Sequence, residues 1–410
     1  MTDRAYDPAR IFVRGGGLAE GVEWGFWLAV TVWWVVDLGL GPFELVLMGT
    51  VLELSVLLAE TPTGVVADLV SRRRSIIIAQ VVMGLGFIWA VASTNYWVIL
   101  PAQAMFGIGW TFRSGADTAW VTDELKGIGE FHDDDIDRLL LRKHRFGIAI
   151  GIVALSSTML IGHLSSVRWA ASMMGLLEIA VGFYFMRSMR EEHFVPGRHD
   201  DRGFFQILRS GLRAISSQRR LRVLVAVLLV LNMGAEVFDR LGFKHFLDNA
   251  DVDDGSVIVL GALFLALAGA GLLVNLAATR VLAGTYGVAR LAVVLLAGAA
   301  LGGLLASMTN IVVVIAIGYM AQDSMREALW PVVNGWTNRD APTEVRATVH
   351  SLVSQTTAIG ELIGGLTLGV LAELTSIRTV LVIASVLFGI SALLATRGVV
   401  PRSGSRDPER

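Results

Sequence analysis

The sequence predicts an all-α integral membrane protein of twelve spans, divided into two six-helix bundles. Three observations predict it. Of 410 residues, 54% are hydrophobic and 17% charged, with a mean hydropathy of +0.62; soluble domains carry roughly 25% charged residues. Apolar runs of about 20 residues, enough to cross a ~30 Å hydrocarbon core, recur along the whole chain. The longest polar break, about 188–220, leaves six such runs on each side, the arrangement expected of two structural repeats. Gly 44 against Pro 9 fits closely packed membrane helices, where small residues let backbones approach.

Span one, near 18–36, follows the tail MTDRAYDPARIFVRGGG, which lacks the layout of a cleavable signal and is expected to be retained in the cytoplasm. Glu20 and Glu23 stand at its cytoplasmic end, where solvation is expected, and Trp24, Trp27, Trp33 and Trp34 crowd it. Trp24, Trp27 and Thr31 share a face that serves either as an interfacial anchor or as a cavity wall. Span two, 44–66, carries Glu53 and Glu60, seven apart and on one helical face with Gly64. The charged hinge GVVADLVSRRR then leads into span three, 75–93. Span four, 97–120, holds Arg113 and Asp117 at i, i+4, near enough to pair. The following loop contains His132-Asp133-Asp134-Asp135, read as a solvated acidic run rather than a divalent-ion site. Spans five and six, 146–164 and 168–187, complete an N-terminal bundle over 1–187.

The polar loop 188–220 precedes a C-terminal bundle with a short tail over 221–410. Span seven, 221–240, ends on Glu236 and Asp239; spans eight and nine, 256–277 and 289–307, are nearly charge-free. Span ten, 310–331, bears a polar stripe of Asp323, Arg326, Glu327 and Trp330. Span eleven, 347–371, sets Glu361 among Gly360, Gly364 and Gly365, and span twelve covers 376–396. Relative to Trp120 and Trp330, spans four and ten both carry charged residues seven and three positions earlier, as repeat-related helices would.

Lysine and arginine set the expected orientation. One series of breaks holds Arg72, Arg73, Arg74, Lys126, Arg138, Arg142, Lys143, Arg145 and the arginines of the central loop; the other holds Arg168, Arg240, Lys244 and Arg378. That asymmetry predicts a multi-pass protein of the cell membrane with both termini in the cytoplasm.

Glu60-Thr61-Pro62-Thr63-Gly64, then Ala67-Asp68 and Ser71-Arg72-Arg73-Arg74, resembles the loop 2–3 signature of the major facilitator superfamily. Phe112 to Trp120 with Asp123, and Arg346-Ala347-Thr348 with Ser351, resemble a branch of it with many exporters. The sequence departs from the drug–proton antiporters of that superfamily. Gln103 stands where they often carry a span-four arginine, and span five lacks their Gly-Pro pair. The second-half copy of the loop signature, ATRVLAGTYGVAR, has no acid. The resemblance implies the major facilitator fold, with the two bundles related by a pseudo-twofold axis. It also implies a cytoplasmic latch of Gly64, Asp68, Arg72, Arg73, Asp123 and Arg346. In it Gly64 clears room for another helix, Asp68 faces the N-terminus of span eleven, where free N–H groups favour a carboxylate, and Asp123 pairs with the loop arginines.

Charged residues within spans face a cavity or a partner, because exposure to lipid is costly. The candidate proton-coupling and substrate-cavity residues are therefore Glu53, Glu60, Arg113, Asp117, Glu236, Asp323, Arg326, Glu327 and Glu361. Arg113–Asp117 is the leading pair and Glu53 the second acid; static interhelical salt bridges are the alternative reading. An enzyme is not expected. No phosphate loop or HExxH motif occurs, Cys 0 removes thiol chemistry, and no cofactor or metal is implied. The net charge of −2, with no basic run beyond three, gives no footprint for nucleic acid. The expectation is a monomeric, proton-coupled secondary transporter exporting a small apolar or amphiphilic compound by alternating access. Import of a metabolite is the alternative, and a non-transporting sensor or scaffold the alternative of another class.

Overall fold

The computed structural model describes residues 6–129, 133–194, 204–250, 255–282, 288–342 and 346–398. The expected acidic run at His132 lies outside them, as do the side chains of Asp133 to Asp135. Among the described residues the secondary structure is helical throughout, with fifteen α-helices and one π-helical turn. The first seven are α1 (Pro8–Val32), α2 (Pro42–Leu69), α3 (Arg72–Trp89), α4 (Tyr96–Arg113), α5 (Ala116–Gly127), α6 (Asp133–Leu164) and α7 (Val167–Ser188). After them come α8 (Phe204–Ser217), α9 (Arg219–Ala250), α10 (Ser256–Leu282), α11 (Val288–Ser307), α12 (Val312–Glu327), α13 (Leu329–Asp340), α14 (Arg346–Leu374) and α15 (Ile377–Thr396). Every expected span is helical. Spans four and ten are each broken in two, as α4/α5 and α12/α13, and α8 lies in the central loop.

Several helices outrun their apolar cores, because local signals other than hydropathy set the ends. Asp7 caps α1 by accepting from the Arg10 N–H at 2.9 Å, with Pro8 in the first turn. The helix therefore starts ten residues ahead of the expected span, and its glycines become packing sites: Gly15 lies against the Phe185 ring and Gly17 against Phe146. Ser71, Asn95, Ser166 and Ser376 cap α3, α4, α7 and α15 in the same way. α9 continues ten residues past Arg240, supported by the i, i+4 pairs Glu236–Arg240 and Lys244–Asp248. Among the described residues eight helices are long and apolar enough to cross a membrane on that measure alone. The other four tracts fall short for visible reasons. α1 carries Arg10, Arg14, Glu20 and Glu23, α3 opens on three arginines, and α4 and α12 are cut at the breaks.

The chain packs as two compact units: Met1–His199 with Phe243–Ala268, and Asp200–Gly242 with Gly269–Arg410. In the first, α1 lies along α6 and α7, α3 along α4 and α7, and α2 along α4. α3 and α7 meet at glycines: a Cβ on Gly84 would stand 2.5 Å from the Gly175 carbonyl oxygen, and one on Gly175 2.7 Å from that of Gly84. In the second unit α11 packs on α12 and α15, and Gly302 and Gly318 make a similarly close crossing of α11 with α12. Both are the small-residue contacts that bring membrane helices together.

Candidate functional site

In the first unit the charged centre is Arg113, in the last turn of α4. Its Nη1 lies 2.5 Å from Glu23 Oε1 of α1 and 4.0 Å from Glu178 Oε1 of α7, and its guanidinium sits 4.7 Å from the Trp110 ring centre. Glu178 is fully buried, and neither of its carboxylate oxygens has a hydrogen-bond partner among the described residues. Two acids thus share one guanidinium.

This corrects the expected pairing of Arg113 with Asp117. Gly115, at φ 76°, breaks the helix between them, so i, i+4 geometry does not apply. Asp117 pairs instead with Lys143 of α6 at 3.0 Å, while Glu20 meets His144 of the same helix at 2.6 Å. Glu23, expected in solvent, is 8% exposed. The buried side chain of Gln80 lines a narrow cavity together with Arg113, Asp117 and Trp120, and neither of its amide atoms has a hydrogen-bond partner among the described residues.

The second unit has a similar cluster. Arg326, in the last turn of α12, grips Asp239 of α9 with both terminal nitrogens, one bond measuring 2.9 Å, and reaches Asp323 at 3.3 Å. Glu236 is buried and pairs with Arg240 at 3.0 Å. The construction repeats. Glu20 and Glu23 in one unit, and Glu236 and Asp239 in the other, are acids three residues apart on the first span of their set. In each case the later acid takes an arginine from the fourth span, at a helix break followed by a helix of 12 residues. The breaks, rather than Trp120 and Trp330, therefore relate spans four and ten. Trp120 is 2% exposed and Trp330 43%.

The remaining candidates are spread along three helices. Glu53 and Glu60 are half-buried in α2, Glu327 is exposed at the end of α12, and Glu361 is half-buried in α14. Gly360 and Gly364 flank Glu361, and there α14 closes on the backbone of α9 at Leu229 and Met233. Of the latch residues, Arg72 pairs with Asp123, donates to the Ala119 carbonyl at 3.0 Å and lies 3.7 Å from Asp68. Arg73 does not share Asp123: its Nε donates to the Met189 carbonyl at 2.9 Å, and its backbone N–H to Glu191 at 3.0 Å. Within the first unit a Cβ on Gly64 meets no described atom within 4 Å. Arg346 opens α14.

Sequence reasoning passed over Glu178, Lys143 as a partner, and Glu124. Glu124 is buried and accepts the backbone N–H groups of Glu192 at 3.0 Å and His193 at 3.1 Å and the Tyr6 hydroxyl at 3.2 Å. Burial, then that carboxylate, push the Tyr6 phenol above its ordinary range. Glu178 had a sequence signal, being the lone acid in the middle of span six, which marks a functional or paired position in a membrane helix.

No protein-family model matches the chain, and no curated protein matches it in sequence. Solved structures do. A mutant of the nucleoside transporter NupG superposes with a TM-score of 0.77 at 14% identity, covering 96% of this chain and 100% of its own. A POT family transporter in complex with 5-aminolevulinic acid gives 0.74 at 11%, covering 94% of each chain. The chain has the major facilitator fold. A bacterial homologue of the human lysosomal transporter Spinster, in an inward-facing and unoccupied conformation, also shares it, at TM-score 0.71 and 12% identity over 96% of this chain and 97% of its own. At these identities the likeness is one of fold, and the chain is a multi-pass membrane protein.

Proposed function

We propose that the chain is a secondary active transporter of the cell membrane, coupled to protons and exporting a small apolar or amphiphilic compound by alternating access. It acts as a monomer with both termini in the cytoplasm. The observation that carries this reading is the Glu23–Arg113–Glu178 cluster. Removing a charge from water costs several kcal/mol per ion, repaid only where a partner is well placed. One guanidinium balances one carboxylate, so a proton on the second acid completes the cluster. Exchange of that proton as the site opens to each side in turn is the coupling step. Arg326 with Asp239 and Asp323 provides the like arrangement in the second unit, and Glu53, Glu60, Glu236, Glu327 and Glu361 are the further acids proposed for proton coupling or substrate binding.

The latch supports the alternation. Arg72 and Asp123 hold the hinge after α2 to α5, leaving Gly64 and Asp68 on one face of α2 to dock against the start of α14 at Arg346 when the pathway closes on the cytoplasmic side. The lysine-poor, acid-bearing spans and the resemblance of span four favour export of a neutral or cationic amphiphile. Import of a small metabolite is the second reading, favoured by the fold's likeness to a nucleoside transporter and by the Gln80 amide, which shares a cavity with Arg113 and has no hydrogen-bond partner among the described residues.

The test is transport by purified protein in proteoliposomes, with lipophilic cationic dyes and small metabolites, under imposed pH gradients. Movement of a dye that follows the pH gradient and is lost in Glu178→Gln is expected. Gradient-driven metabolite uptake with no dye movement would replace export by import. Transport that ignores the pH gradient, or persists in Glu178→Gln, would remove the proton mechanism.

A further inference from the structure

The first turns of α9 and the last turn of α15, both in the second unit, enclose an open groove of about 400 Å³. Val223, Ala226 and Leu394 give it an apolar floor, and Arg219, Arg222 and Arg397 form its rim. All three arginines are exposed. Arg222 donates to the neutral Ser216 carbonyl, and among the described residues no carboxylate pairs with any of the three. Arg220, between two of them in sequence, behaves differently. It pairs with Asp340 at 3.0 Å and its guanidinium lies 5.9 Å from the Trp336 ring centre.

A topology-setting bias of positive residues explains arginines near this end of the helices, but not three unpaired ones converging over an apolar floor. The basic surface also extends beyond the groove. α8 ends one residue before α9, and it buries Ala214 and seats Gly211 against Thr348 and Leu352 of α14 while exposing Arg209 and Arg213.

The ligand that fits carries a compact anion on an apolar stem. Guanidinium groups bind phosphate oxygens through paired N–H donors. Basic pockets between membrane helices recruit acidic headgroups from the adjoining leaflet. We propose that this groove is a binding site for an anionic phospholipid. Arg219, Arg222 and Arg397 hold the phosphate, and Val223, Ala226 and Leu394 take the glycerol end of the acyl chains. A soluble phosphate ester would use the arginines and gain nothing from the floor.

The test is native mass spectrometry of the full-length protein in detergent. It is titrated with phosphatidylglycerol, with phosphatidylcholine of the same acyl chains, and with glycerol phosphate. Preferential retention of phosphatidylglycerol is expected, weakened on the order of a hundredfold in the triple variant R219Q/R222Q/R397Q, given the ~1 kcal/mol each basic residue contributes near acidic lipid. The charge-preserving variant R219K/R222K/R397K should bind more tightly than the triple glutamine variant and less tightly than the unmodified protein, since lysine keeps the charge and loses the paired donors. Arg290→Gln, elsewhere on the unit, should keep all of the binding. Equal retention of both lipids, or undiminished binding by the triple glutamine variant, would overturn the site. Displacement of the lipid by glycerol phosphate at similar concentration would overturn the lipid as its ligand.

Discussion

Arg113 shows what one residue can settle. Its place beside the buried carboxylates of Glu23 and Glu178 makes it their shared counter-ion, and truncating it strands both. Arg113→Gln is expected to destabilise the protein by about 3–5 kcal/mol, the cost of leaving a buried charge unpaired. Adding Glu23→Gln and Glu178→Gln should restore most of that loss, because replacing a buried ion network whole is often neutral. Thermal unfolding of the purified variants checks both; a triple variant no more stable than Arg113→Gln would mean that packing, not charge, is lost. The importance of Arg113 is legible in the sequence, as a charge inside an apolar run. Its partners are not, because spacing points to Asp117 and only the backbone at Gly115 shows that the helix ends first. Glu178 lay in plain view, but one acid in a run of apolar residues names no partner until α1, α4 and α7 are brought together.

At the scale of elements, the paired breaks and the glycine crossings make opposite demands on substitution. Gly115 adopts φ 76° with no described atom within 4 Å of a built Cβ, so its requirement is purely conformational. Gly115→Ala should cost about 1–2 kcal/mol, the penalty of left-handed backbone for an L-residue, and Gly115→Asn less, which unfolding measurements can separate. Gly84 is the reverse, an ordinary helical backbone with the Gly175 carbonyl oxygen 2.5 Å from any Cβ. Gly84→Ala forces α3 and α7 apart and should cost about 1–3 kcal/mol or more, with a fall in the yield of folded protein. The number and place of the helices could be read from hydropathy because a membrane demands long apolar runs. Their ends could not, since a cap such as Asp7 with Pro8 or a chain of i, i+4 pairs past Arg240 extends a helix without adding apolar residues.

At the scale of the whole molecule, Gly64 bears on alternation. Glycine inside a helix costs about 1 kcal/mol relative to alanine, an expense that close packing ordinarily explains. Within the first unit Gly64 has no such packing: a Cβ meets no described atom within 4 Å, and Asp68, one turn on, has 63% of its side chain exposed. Packing within the first unit therefore does not account for this glycine; the proposed latch does, by covering that face of α2 in one state of the transport cycle. Two measurements on Gly64→Ala then diverge. Stability should be unchanged or rise by up to about 1 kcal/mol, from helix propensity alone. The transport rate should fall, because the added methyl obstructs the proposed latch. Asp68→Asn should slow transport as well, through loss of the carboxylate that meets the helix N-terminus, again with little change in unfolding. A Gly64→Ala protein that melts higher and transports at the normal rate would show that this face of α2 is never covered, and would leave Arg72 and Asp123 as a static brace rather than part of a moving gate.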